Sequence, residues 1–240
     1  MPDPCPDVFL YTNLLPLPTS ESTKSQKSGL RANVVNIWNS CNLISAAGKE
    51  QEKAGVAKLR TFAFLLLASI TSAKSKQSGA IDKLFQNSLI ALRECLQSDE
   101  LDLAERIVEH VAGLQTVSLN SNRAPQNHHE LQTGVIEYHC LRLLLESKRR
   151  RDDLADRCYF AMTATESHHQ EPEIEKVVDL FYETARDCLA ASDYKNALKW
   201  LERGIDMLDH GDFASSFLCS DLRLNILHSL GMLFVFTPAG

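Results

Sequence analysis

Apolar residues recur along this chain at intervals of three and four, the pattern of helices that bury one face. Residues 31–47 place Val34, Trp38, Cys41 and Ile44 on one side, and residues 50–73 do the same with Val56, Leu59, Ala63, Leu66 and Ile70. Residues 80–97 carry Ile81, Leu84, Phe85, Leu89, Leu92 and Leu96; residues 100–115 carry Leu101, Ala104, Ile107, Val108, Val111 and Leu114. Further helices are predicted over 130–148, 152–163, 173–191 (Ile174, Val177, Val178, Phe181, Ala185 and Cys188), 194–208 and 215–236. Polar runs separate them: "AKSKQSG", "QSDE", "SLNSNRAPQNHHE" and "TESHHQEPE", the last with Pro172 at a first helical position. Five of the eight prolines fall within the first 18 residues, so long stretches are free of a residue that breaks helix interiors. No run alternates as a strand does, and the fold class is all-α.

Three of the predicted helices align on an alanine. "LDLAERIVEHVAGL", "DDLADRCYFAMT" and "YKNALKWLERGI" share alanine, three residues, a large apolar residue, two residues, then a further apolar one. The anchors are Ala104, Val108 and Val111; Ala155, Tyr159 and Met162; and Ala197, Leu201 and Gly204. Each follows a turn and an amphipathic helix. Small residues at such positions let helices approach at the close end of about 8–10 Å. Three copies in register point to a repeat array rather than to an ordinary bundle. The pattern resembles the tetratricopeptide repeat (TPR), best in Phe181, Ala185, Cys188, Tyr194, Ala197, Leu201 and Gly204, with Tyr194 expected to brace the turn and Trp200 to pack between helices. Asp209 stands where the repeat has proline, and the anchors lie 51 and 42 apart. The implied architecture is an irregular TPR-like α-solenoid of antiparallel helix pairs. Residues 1–30, proline-rich and then "TSESTKSQKSG", read as a disordered lead; 31–240 read as the repeat domain, with "FTPAG" suggesting C-terminal truncation.

Composition narrows the function. Net charge is 25 − 31 = −6, so no overall field draws the chain to nucleic acid or to anionic membrane. The longest apolar run, "FAFLLLA" from Phe62, is far below the ~20 residues of a membrane span and reads as a helix buried on most sides. Seven cysteines without a CxxC exclude zinc-ribbon spacing, and those from Cys41 to Cys188 sit in helical patterns as small apolar residues. His128–His129 and His168–His169 raise the possibility of metal, but neighbouring side chains diverge and no Cys or carboxylate joins them at ligand spacing. They read as solvated loop residues. Nucleotide-binding, nucleophile-elbow and zincin motifs are absent, so catalytic, cofactor and metal residues are all expected to be none. "KRRR" (Lys148–Arg151) reads first as cations closing a helix, with a nuclear localisation signal as the second reading. Trp38 and Trp200 both fit core-facing stripes.

Chaperone-binding TPR domains clamp a terminal carboxylate with lysine and asparagine. The corresponding positions here are Leu89 and Arg93, Cys140 and Leu144, and Tyr182 and Arg186, which lack that clamp. A more specific likeness runs through "NVVNIWNSCNLIS", "AKLRTFAFLLLASI" and "LIALRECLQSDELDLAERIVEHVAGL". With Ile37, Trp38 and Asn39, Ala57 to Arg60, Phe62 and Ala63, and Leu101 to Ala104, the chain resembles the meiotic Spo-twenty-two/Zip-four family over about residues 31–230. That resemblance implies a non-enzymatic scaffold on meiotic chromosomes in the nucleus. It would support synaptonemal complex assembly and interfering crossovers by linking crossover factors, including an XPF-like junction-binding complex, to chromosome-axis proteins. No nucleic acid or membrane contact is expected, and the partner-binding residues are unknown. The competing reading is a TPR adaptor of a ubiquitin-ligase or signalling assembly.

Overall fold

The computed structural model describes residues 24–48, 52–71, 78–119, 125–163, 171–209 and 217–236. Among these it holds nine α-helices and no strand: α1 (Lys24–Ala46), α2 (Lys53–Ile70), α3 (Ser78–Gln97), α4 (Leu101–Leu119), α5 (Pro125–Lys148), α6 (Asp152–Thr163), α7 (Glu171–Ala190), α8 (Tyr194–Asp209) and α9 (Phe217–Phe236). They form two compact units, residues 1–151 with α1–α5 and residues 152–240 with α6–α9. In each unit neighbouring helices pack as pairs, consistent with a helical solenoid.

The first unit packs α1 on α2, α2 on α3, and α3 on both α4 and α5. Every α3 residue in the predicted stripe is buried, from Ile81 to Leu96. Helix α2 is buried on more than one side, as its apolar run predicts: Val56, Ala57, Arg60, Thr61 and Ala63–Leu66 are all enclosed. Tyr138 of α5 meets Phe85 of α3 with ring centroids 6.4 Å apart. The crossing is close because Gly134 offers no side chain; a β-carbon there would come within 3.0 Å of Phe85 Cε1.

In the second unit α7 and α8 pack together and α9 lies against both. Ile174, Val177, Val178, Phe181 and Ala185 of α7 face Ala197, Trp200, Leu201 and Gly204 of α8, all buried. A β-carbon on Gly204 would meet Ile226 Cδ1 of α9 at 3.0 Å and Val178 Cγ1 of α7 at 3.7 Å. Gly204 is therefore a close-contact position among three helices, the role its place in the repeat predicts. Ala104 and Ala155 are likewise buried at the other two anchors.

The repeat is also written in the backbone. Ahead of each anchor alanine stands a left-handed residue, Asp99 (φ 57°), Arg150 (φ 55°) or Ser192 (φ 59°). Around each, the same two bonds close the preceding helix. Asp99 N donates to Leu96 O and Glu100 N to Cys95 O; Arg150 N to Ser147 O and Arg151 N to Glu146 O; Ser192 N to Leu189 O and Asp193 N to Cys188 O. These are three Schellman caps, which satisfy carbonyls that the helix end would leave unpaired. A reversal so short, with α3 packed on α4 and α7 on α8, makes those pairs antiparallel. At the third turn Asp193 Oδ1 accepts from the Asn196 amide at 3.3 Å, an N-cap for α8. Tyr194 itself is largely exposed, so backbone bonds and Asp193 close this turn. Left-handed backbone disfavours residues with a β-carbon, so Ser192→Gly is expected to raise the unfolding free energy by about 0.5–1 kcal/mol, read as a higher urea midpoint at constant slope.

Two helix starts differ from the sequence reading. Helix α1 begins at Lys24, ahead of the position near Leu30 where composition alone places folded structure. Helix α5 begins at Pro125, so His128 and His129 lie in a helix rather than in a loop. Proline at a first helical position costs nothing there, since its missing N–H has no intrahelical acceptor. His168 and His169 lie outside the described residues.

Candidate functional site

The basic run at the end of α5 is tied to its own unit. Lys148 Nζ lies 3.2 Å from Asp99 Oδ1, and Arg149 pairs with Asp102 and, at 3.5 Å, with Glu105 Oε2. Arg151 reaches Glu105 Oε1 at 2.5 Å and Glu146 Oε2 at 2.6 Å. The hydrogen bond to Glu105 leads the interactions that push its pKa upward. Arg150 sits at the left-handed turn position and is exposed. Three of the four cations thus join α5 to the acidic start of α4, the arrangement expected of helix-closing charges.

A second cluster joins α1, α2 and α3. Arg60 is 2% exposed. Its guanidinium donates to Asn42 Oδ1 at 2.8 Å, and its Nε stands 2.7 Å from Glu94 Oε2. Its Cζ lies 4.8 Å from the centroid of the Trp38 ring, within cation–π range. Burial raises the Glu94 pKa and prevails over the opposing pull of Arg60. Trp38, half-buried, is the platform for this charge rather than part of an exposed patch. Asn39, its neighbour in sequence, is exposed.

The third cluster lies in the second unit. Asp156 of α6 accepts from Lys199 Nζ at 3.0 Å and Arg203 Nη1 at 2.7 Å, both on α8. Burial opposes its ionisation, but these bonds outweigh it and hold the carboxyl below its ordinary range. Arg203 is wedged among rings, its Cζ 4.1 Å from the Tyr159 centroid and 4.6 Å from that of Trp200. Trp200 also packs on Phe181 with centroids 5.5 Å apart.

Positions of the carboxylate clamp are engaged within their own units. Leu89 is buried, Cys140 and Leu144 are half-buried, and Arg93 is paired with Glu137. Arg186 pairs with Glu183 at 2.7 Å over the Tyr182 ring. Thiol chemistry is disfavoured too. Burial pushes Cys95 up to about 12 and raises Cys41 and Cys188, so these sulfurs stay protonated. No metal-holding group of three or more ligand side chains occurs among the described residues.

His139 on α5 is displaced in the opposite direction. Burial, reinforced by the positive charge of Arg142, lowers its pKa from 6.5 to about 4. Between those values the unfolded chain binds the proton and the folded one does not, so stability falls as pH drops through that window. Chemical denaturation at about pH 7 and about pH 4.5 should show a larger loss for the wild type than for His139→Gln.

Packed helix pairs and repeated turns define an all-helical repeat protein. Residues 145–236 match the family model described as "Meiosis protein SPO22/ZIP4 like", the family the sequence resembles. The match spans the whole described second unit, including the Asp156–Arg203 cluster and Gly204, and ties it to a meiotic role. Trp38, the Ala57–Arg60 motif and Leu101–Ala104 all lie upstream of it. No curated protein and no solved structure matches the chain. Among the described residues no helix is long and apolar enough to cross a membrane.

Proposed function

We propose that this protein is a meiotic interaction scaffold. In this reading it supports synaptonemal complex assembly and interfering crossovers by joining crossover factors, an XPF-like junction-binding complex among them, to chromosome-axis proteins in the nucleus. The observation that carries the reading is the family match over residues 145–236. The geometry agrees with it: the clusters built from cations and aromatic rings are structural joints between helices, so work is left to exposed helix surfaces. The test is to tag the full chain at its own locus, image spread meiotic chromosomes, and crosslink its neighbours for mass spectrometry. Foci on meiotic axes, with axis and crossover proteins recovered, are the expected result. Expression in vegetative cells with cytosolic partners would overturn the reading and make the protein a general adaptor.

A further inference from the structure

Helix α1 exposes a face unlike a solvated one. From Ala32 to Gly48 the sequence "ANVVNIWNSCNLISAAG" contains no charged residue. Only part of it is covered: Val34 and Cys41 are buried, whereas Val35 is 46% and Leu43 75% exposed. Solvated helix faces ordinarily carry charge, and depletion of charge is what marks the core of a protein–protein interface. The charges α1 does have are all positive, Lys24, Lys27 and Arg31, with no carboxylate on the helix. Lys27, Arg31, Val35, Asn39 and Leu43 step by four along α1, forming the kind of continuous ridge that fits a groove of a second helix.

We propose that this ridge docks an amphipathic helix of a partner protein with acidic residues at one end. Carboxylates of the partner face Lys27 and Arg31. Its apolar side chains cover Val35 and Leu43, and a polar group between them bonds the exposed Asn39 amide. The charge complement selects this occupant: a second copy of α1 would set cations against cations or leave them unanswered. The inference stands on the first unit and does not depend on the meiotic reading.

The experiment titrates the purified full chain into a labelled synthetic helix of about 20 residues, with leucines at i and i+4 spacing and glutamates at one end. Binding by fluorescence anisotropy should weaken with added salt. Leu43→Glu should weaken it by about tenfold or more, and so should the double change Lys27→Glu with Arg31→Glu. For the latter variant, a peptide with lysines in place of glutamates should recover binding. Arg31 and Leu43 are exposed and Lys27 is half-buried, so unchanged thermal melts verify that the variants fold. No binding, or binding indifferent to Leu43→Glu, would sink the proposal. A dimer in sedimentation that Leu43→Glu dissolves would overturn it by assigning the face to a second copy.

Discussion

Arg60→Met is expected to cost about 3 kcal/mol of unfolding free energy, because it removes one partner of an enclosed ion pair and leaves the other behind. Methionine keeps most of the stem that packs in α2, so the loss reports the charge. Glu94 would then face the α1–α3 junction with its cation gone, and its pKa, already raised by burial, would climb further. That gives the cost a sign with pH. In the unfolded variant Glu94 ionises normally, while in the folded variant it holds its proton to higher pH. The penalty is therefore greatest where the unfolded carboxylate is ionised and shrinks as pH falls below the raised folded pKa. Denaturation curves at about pH 8 and about pH 5 separate the explanations. A loss that does not change with pH would mean that contact with Trp38, not the ion pair, carries the effect. Adding Glu94→Gln to Arg60→Met should restore part of the stability, since both charges are then gone.

Arg60 also shows what single-sequence reading misses. The apolar spacing of residues 50–73 identified the helix and its buried Val56, Ala63 and Leu66, whereas Leu59 and Ile70 of the same stripe are half-buried. Nothing in that spacing marks Arg60 as enclosed, because its partners Asn42, Trp38 and Glu94 belong to two other helices. Long-range charge pairing has no period, and periodicity is the signal that sequence offers. The same holds for the "KRRR" run, whose pairing with Asp99, Asp102 and Glu105 depends on how α5 meets α4. Gly134 is a second case: a glycine between Thr133 and Val135 gives no sign that Phe85 will come within van der Waals reach. By contrast Gly204 was legible, since the repeat places a small residue there. The three caps were legible only as breaks. "QSDE", "RRRD" and "ASDY" share no residue type at the left-handed position, and their identity appears only in φ and hydrogen bonds. Backbone geometry thus supports the repeat independently of the alanine alignment that first suggested it.

The exposed faces tell the opposite story. Leu43 and Val35 on α1, and Leu224, Leu227 and Met232 on α9, are large apolar residues that their own units leave open. A helical repeat buries each helix against its neighbours and presents what remains, so such faces are where partner contacts are expected. Sequence could place these residues on helices but could not tell buried from exposed ones. On α1 the two kinds alternate within one apolar stretch, Val34 enclosed and Val35 open.

Trp200→Ala is the second change with a large expected effect, about 3–5 kcal/mol, because it empties the space of a wholly enclosed ring. Trp200 is 2% exposed, packs on Phe181, and lies beneath the charges of Lys199 and Arg203 at 5.0 and 4.6 Å. Its removal therefore acts twice. It opens a cavity between α7 and α8, and it takes away one of the rings that hold Arg203 toward Asp156. Trp200→Phe should retain most of the packing and lose much less. Circular dichroism during urea unfolding measures the free energies. Hydrogen exchange should locate the alanine variant's lost protection in residues 171–209, where both packed helices lie. The outcome decides between two roles for this residue. A tryptophan that served as a surface contact would leave the melt nearly unchanged while weakening a partner, since exposed side chains contribute little to folding. A loss of several kcal/mol fixes Trp200 as the joint between α7 and α8 and sends the search for partner contacts to the open helix faces.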